Sequence, residues 1–178
     1  DVVVTNDPEV IRQADGIILP GVGAFPAAMS NLEACHLVPV LNEVKDKGTP
    51  ILGICIGMQL LFEEGSENGH TKGLGFLKGS VDKMEVDAKL PHMGWNQLVI
   101  RQAHPLLKYV EEGDYVYFVH SYSAHCPEDQ IGAYVNYGGK EITAFVYKDN
   151  VMGTQFHPEK SGEIGKKILR AFKEMVLC

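Results

Sequence analysis

Several large functional classes are excluded by what this sequence lacks. Cys35, Cys55, Cys126 and Cys178 are scattered along 178 residues with no C-x-x-C pair. That rules out a zinc ribbon or a thioredoxin-like redox motif. A chain this long can build a core without disulfides, so a reducing, cytoplasmic setting is expected. The seven histidines lack zinc-ligand spacing. His125 and Cys126 are adjacent, which suits neither a finger nor a helical H-E-x-x-H site, so neither a metal nor a cofactor is expected. No apolar run approaches the length of a membrane helix, and no signal peptide is read. The formal net charge is −7 and no lysine/arginine cluster stands out, which argues against a nucleic-acid surface. No repeat, low-complexity tract or linker interrupts the chain, and residues 1–178 are expected to form one domain.

What is present is ordinary globular material, 45% hydrophobic and 22% charged. Val2-Val3-Val4-Thr5 is a β-branched run that reads as a strand. Asn6-Asp7-Pro8-Glu9 reads as a helix start, with Asp7 as cap and Pro8 at the first helical position, and the helix is expected to stop near Gly16. Ile17-Ile18-Leu19 is a second strand. Leu37, Val38, Leu41 and Val44 mark one face of a helix that Gly48-Thr49-Pro50 breaks, and residues 51–54 form a third, buried strand. Apolar strands alternating with helices imply a parallel sheet covered on both faces. Further on, residues 115–119, 131–137, 142–147 and 151–156 read as strands with little room for helices between them. Gly138-Gly139 and Lys148-Asp149-Asn150 carry hairpin-turn chemistry. The expected fold class is α/β: a mixed, mostly parallel central sheet with helices on both faces, an antiparallel C-terminal section, and a closing helix over residues 163–176.

Three segments carry chemistry. Gly53-Ile54-Cys55-Ile56-Gly57 is G-x-C-x-G, the cysteine form of a nucleophile elbow, with an oily strand before it and a helical pattern after it. A thiol there would sit at a helix N-terminus, which favours thiolate and lowers its pKa, and the N–H of Ile56 would face the reacting centre. The bland reading is a buried cysteine in a core turn. His157-Pro158-Glu159 supplies a base and a carboxylate. In an extended segment i and i+2 face the same way, so Glu159 can orient the imidazole. A surface turn with an incidental histidine is the alternative. Pro20-Gly21-Val22-Gly23 ends a strand and could turn the N–H of Val22 toward an oxyanion, although an ordinary strand-to-helix turn also accounts for it. The three in this order on an alternating α/β pattern narrow the choice.

Together, P-G-V-G, G-I-C-I-G-M-Q and H-P-E resemble the signature of the class I, triad-type glutamine amidotransferases. The resemblance implies that Cys55 attacks the side-chain amide of glutamine, that His157 moves the protons, and that Glu159 orients it. It further implies backbone oxyanion donors at Val22 and Ile56, and glutamine contacts at Gly23, Gln59, Ser121 and Tyr122. The segments PGVGAF (20–25), PHMGWN (91–96), YFVHSY (117–122) and QFHPEKS (155–161) narrow it to the glutaminase subunits of imidazole glycerol phosphate synthases. These form heterodimers with a (β/α)₈-barrel cyclase of histidine biosynthesis, which receives the ammonia. By that resemblance Lys160 and Trp95 would lie at the partner interface; as a solvated lysine and a packed tryptophan they would need no partner. The family pattern begins with a strand, a D-Y-G-x-G-N turn and a helix, about 20–30 residues on ordinary element lengths. Relative to it this chain is expected to lack an N-terminal strand and helix. The same triad also serves glutaminase subunits of other synthases, and a cysteine elbow serves thiol esterases and DJ-1-like peptidases.

Overall fold

The computed structural model describes residues 1–178. In chain order its elements are α1 (Pro8–Arg12), β1 (Ile17–Leu19), α2 (Phe25–Ala34), α3 (Leu37–Asp46), β2 (Ile51–Ile54), α4 (Ile56–Leu60), β3 (Glu64–Gly65), β4 (Thr71–Lys72), β5 (Ser80–Lys83), β6 (His92–Gln97), β7 (Val99–Ile100), β8 (Tyr115–His120), β9 (Tyr122–His125), β10 (Ile131–Tyr137), β11 (Lys140–Lys148), β12 (Val151–Thr154) and α5 (Gly162–Leu177). Helix starts follow local chemistry. Asp7 accepts the N–H of Glu9 ahead of Pro8, a cap worth about 1 kcal/mol. The helix it opens ends at Arg12, sooner than Gly16 suggests.

A six-stranded sheet runs β1-β2-β12-β11-β10-β7. Its β1-β2 and β2-β12 pairs are parallel, and the other three pairs are antiparallel. The parallel part is therefore confined to three strands; the β10-β11 and β11-β12 hairpins and the edge strand β7 build the rest. Gly138 and Gly139 both take positive φ in the β10-β11 turn, as a type I′ two-residue turn requires. A four-stranded sheet, β4-β3-β5-β9, and the β6-β8 ribbon lie beside it.

Strand periodicity divides the core between the two faces of the large sheet. Ile51, Val146 and Val151 pack with residues of α2, α3 and α4, whereas their neighbours Leu52, Phe145 and Met152 pack with Ile168, Ala171 and Phe172 of α5. Both faces are covered, which is why these strands read as continuous apolar runs. On α3 the buried stripe is Leu37, Val40, Leu41 and Val44, with Val38 at its margin.

The expected strand at Val2-Val3-Val4-Thr5 is not one. Residues 1–6 belong to no sheet, and Val2 and Val4 are 97% and 100% exposed. A β-branched run becomes a strand only against a backbone that receives it, and no strand of the sheet pairs with this one. No helix of the chain is long and apolar enough to cross a membrane.

Candidate active site

The three parallel strands bring the three motifs together. Leu19 of β1 lies opposite Gly53 of β2, and Ile54 of β2 lies opposite Thr154 of β12. Parallel neighbours in that register end at one edge of the sheet, and each discharges its next residues there: Pro20-Gly21-Val22-Gly23, Cys55, and Gln155-Phe156-His157. The crevice beyond the carboxyl ends of such strands is where open α/β sheets bind ligands. The Cys55 N–H is held by the Thr154 carbonyl at 2.8 Å, so the elbow is tied directly to the strand that delivers His157.

Cys55 itself has φ 55° and ψ −112°, a backbone state that costs a non-glycine residue about 1–3 kcal/mol. The flanking glycines permit the turn. A Cβ on Gly57 would stand 1.8 Å from the carbonyl oxygen of Leu19, and one on Gly53 would stand 2.6 Å from the Gly57 oxygen. Both obstacles are backbone and cannot rotate away. Gly57→Ala is therefore expected to destabilise the fold by about 3 kcal/mol or more, read as a fall in the urea midpoint. An unchanged midpoint would show that the elbow is looser than these contacts require.

The Cys55 thiol is buried, and burial pushes its pKa up to about 11, against the pull of the Ile56 amide N–H that bonds it; nearby Glu159 raises it further and Lys160 lowers it. This corrects the expectation of a lowered pKa. The helix that follows has only five residues, too short a dipole to offset the loss of water. A thiol so placed would need a base before it could act as a nucleophile.

His157, the candidate base, is pinned at its backbone. Its N–H bonds the Tyr117 carbonyl at 3.0 Å, and its carbonyl accepts the Ser161 hydroxyl at 2.6 Å. Glu159 Oε2 lies 3.2 Å from Nδ1. A carboxylate only accepts, so Nδ1 carries a proton toward it, and in the neutral ring Nε2 is the bare nitrogen. Nε2 is buried without a hydrogen-bond partner. The carboxylate reaches the ring from a 3₁₀ turn, Pro158–Lys160, and not along an extended segment as the i, i+2 argument supposed.

A cleft of about 630 Å³ collects Val22, Gly23, Cys55, Ile56, Gln59, Ser121, Tyr122 and His157 in its wall. Glu159 stands behind His157, and Lys160 is exposed on the same turn. Trp95 lies on β6, 54% exposed, edge-on to Tyr117 with ring centroids 5.9 Å apart. It comes within reach of the turn after His157: a Cβ on Gly162 would be 3.9 Å from its Cη2.

Other residues of the site had no motif to announce them. Glu67 and Lys83 line the cleft, and Glu67 Oε2 accepts the Phe25 N–H at 3.0 Å. Gln155 is fully buried; it donates to Cys55 Sγ at 3.8 Å and accepts from Gln59 Nε2 at 3.1 Å. The fixed spacing of Gln155 from His157 was visible within QFHPE, but a glutamine there reads equally as core. No group of three or more His, Cys, Asp or Glu side chains is placed to hold a metal ion.

A thiol, a bare ring nitrogen oriented by a carboxylate, and a backbone N–H at the thiol constitute the parts of acyl transfer through a thioester. The glutamine amidotransferase class-I family matches residues 2–175. The chain belongs to that family. Among curated relatives, imidazole glycerol phosphate synthase subunit HisH of Lactococcus lactis subsp. lactis (strain IL1403) is 54% identical over 176 residues, covering 99% of this chain and 87% of that one. HisH of Bacillus cereus (strain G9842) is 52% identical over 174 residues, covering 98% and 83%. Solved structures show the amidotransferase fold at far lower identity. A glutamine amidotransferase superposes with a TM-score of 0.74 at 16% identity, covering 98% of this chain and 85% of its own. PurLQS from Thermotoga maritima gives 0.66 at 20%, covering 89% and 79%.

Proposed function

We propose that this class-I glutamine amidotransferase is the glutaminase subunit of an imidazole glycerol phosphate synthase, supplying ammonia for histidine biosynthesis. The observation that carries the reading is the 54% identity to a HisH protein over 99% of the chain, with the cysteine and histidine in the wall of one cleft and the carboxylate on the histidine ring. As the Cys55 sulfur attacks the side-chain carbonyl carbon of glutamine, His157 Nε2 takes the thiol proton. The N–H groups of Ile56 and Val22 receive the oxyanion. Collapse of the tetrahedral adduct breaks the C–N bond, and His157 returns the proton to the leaving nitrogen as ammonia departs. Water then attacks the glutamyl thioester, giving its proton to His157, and glutamate leaves as the thiol is restored.

Gly23, Gln59, Ser121 and Tyr122 contact the substrate in this scheme. The opposed charges of Glu67 and Lys83 in the cleft wall suit the α-ammonium and α-carboxylate of a free amino acid. The partner is a (β/α)₈-barrel cyclase in a heterodimer, which uses ammonia that is neutral and shielded from water. Met93 is 62% exposed and, with Trp95, forms an apolar strip on β6 beside the turn that carries Lys160. That strip is the proposed docking face.

The test mixes the chain with a histidine-pathway cyclase and measures glutamate release with and without it. Stimulation of glutamine hydrolysis by that cyclase is expected, and Trp95→Ala or Lys160→Ala weakens it. A folded chain that gives no response to the cyclase overturns the assignment.

A further inference from the structure

Two histidines outside the proposed chemistry lie directly behind the cleft. His92 of β6 and His120 of β8 are cross-strand partners, and both are buried. His120 also lines the cleft. Their hydrogen bonds admit only one proton arrangement. His120 Nδ1 lies 2.8 Å from the Tyr122 carbonyl, which can only accept, so Nδ1 carries the proton. The bare Nε2 of that neutral ring faces His92 Nδ1 at 2.9 Å, so His92 also carries its proton on Nδ1 and donates. His92 Nε2 is then bare, and Asn96 Nδ2 donates to it at 3.3 Å. A proton added to either ring would set one N–H against another.

The chain of bonds ends at the substrate side of the cleft. The Tyr122 carbonyl accepts a second bond, from Gln59 Nε2 at 3.3 Å. The same Nε2 donates to Gln155 Oε1, and Gln155 donates to Cys55 Sγ. We propose that His92 and His120 are positioning residues: two neutral imidazoles, locked in their Nδ1–H tautomers, that fix the Tyr122 carbonyl and through it the Ser121-Tyr122 wall and the amides reaching the thiol. Packing holds the first ring in place, since His92 stacks on Phe118 and Tyr137 with centroids 4.7 and 4.1 Å apart. The titratable side chains set against the pair are the two rings themselves, His157 from the turn after β12 and the Tyr137 phenol from β10. Burial holds both rings far below the ordinary histidine range, at about 4.

The kinetic arm of the test rests on the glutaminase reading; the spectroscopic arm does not. Nitrogen-15 NMR of the histidine side chains in the full chain should show both rings neutral, with hydrogen on Nδ1, and with no titration near the ordinary value of about 6.5. Hydrogen on Nε2 of either ring, or titration near that value, overturns the proposal.

For kinetics, two variants separate bonding from packing. His92→Phe keeps the stacked ring and loses the donor, whereas His92→Asn loses the ring and places an amide N–H near the Nδ1 position. With saturating partner, His92→Phe is expected to raise KM for glutamine about tenfold, the size of one net hydrogen bond, with kcat changed less than about threefold. His92→Asn recovers most of that loss. If the phenylalanine variant keeps the wild-type KM while the asparagine variant fails, the ring acts by packing alone and the proposal is wrong. His120→Phe against His120→Asn repeats the contrast at the second ring, should His92→Phe not fold. Wild-type protein that hydrolyses no glutamine would sink the glutaminase reading, and the tautomers would still decide the positioning role.

Discussion

Replacing Cys55 with alanine is expected to lower partner-stimulated glutamate release by about four orders of magnitude or more while leaving the protein folded. The size follows from the role: without a sulfur there is no covalent intermediate, and the remaining groups orient substrate without reacting with it. Alanine fits the site because Cys55 is small and its backbone, not its side chain, makes the turn. The accompanying change in stability is expected to stay within about 1–2 kcal/mol. The same residue explains a second observable. With the thiol held protonated up to about 11, on the order of one molecule in ten thousand carries thiolate at neutral pH. Iodoacetamide should therefore modify Cys55 slowly near pH 7 and faster as pH rises. A glutamine-mimicking diazoketone should label it rapidly, because that reagent recruits His157, and glutamine should protect. Residual glutamate release by Cys55→Ala close to the wild-type rate would remove the cysteine from the mechanism.

The parts of this site that were legible in the sequence are those whose chemistry is local. G-x-C-x-G can be read because a sharp turn excludes Cβ atoms on both sides of Cys55, and the 1.8 Å approach at Gly57 is that exclusion in space. The alternation of apolar strands and helices was enough to bring P-G-V-G and Cys55 to one edge, since parallel neighbours in register must discharge their loops together; His157 joins them only because β12 also runs parallel to β2, whereas its segment read as part of the antiparallel section. Glu67 and Lys83 were not legible, and Gln155 was visible only as a letter of QFHPE, because what each of them faces depends on what long-range folding sets opposite it. Glu67 lies in a polar loop that reads as solvated surface. The misreading of Val2-Val3-Val4-Thr5 has the same origin, since strand propensity describes a willingness to pair and says nothing of a partner. The thiol's pKa failed for a different reason. Helix position was visible, but burial was not, and burial is the larger effect.

Stability should fall steeply in mild acid, and the buried histidines set the window. His92, His104 and His120 are each held down to about 4 by burial. Unfolding returns them to about 6.5. Above that value the rings are neutral in both states, and the full stability is present. As pH falls from 6.5 toward 4 the unfolded chain takes up as many as three protons that the folded chain refuses, so unfolding is favoured. Three protons correspond to a slope of at most about 4 kcal/mol per pH unit, large beside a total of about 5–15 kcal/mol. The urea midpoint should be flat between about pH 7 and 8 and drop sharply by about pH 5. His104 offers the cleanest check because it lies outside the cleft. Its Nδ1 accepts the Leu106 N–H at 3.0 Å, and its ring packs on Phe145 and Tyr147. His104→Asn keeps an acceptor for that N–H and removes one titrating ring, so the slope should fall by about a third. The alkaline side runs the other way. Cys55 and Cys126 are pushed up to about 11 by burial, so their contribution is intact below about 9 and is lost as pH climbs through 11. A urea midpoint that stays level from about pH 7 to 5 would mean that the three rings meet water in the folded state, and the Nδ1–H lock between His92 and His120 would fail with it.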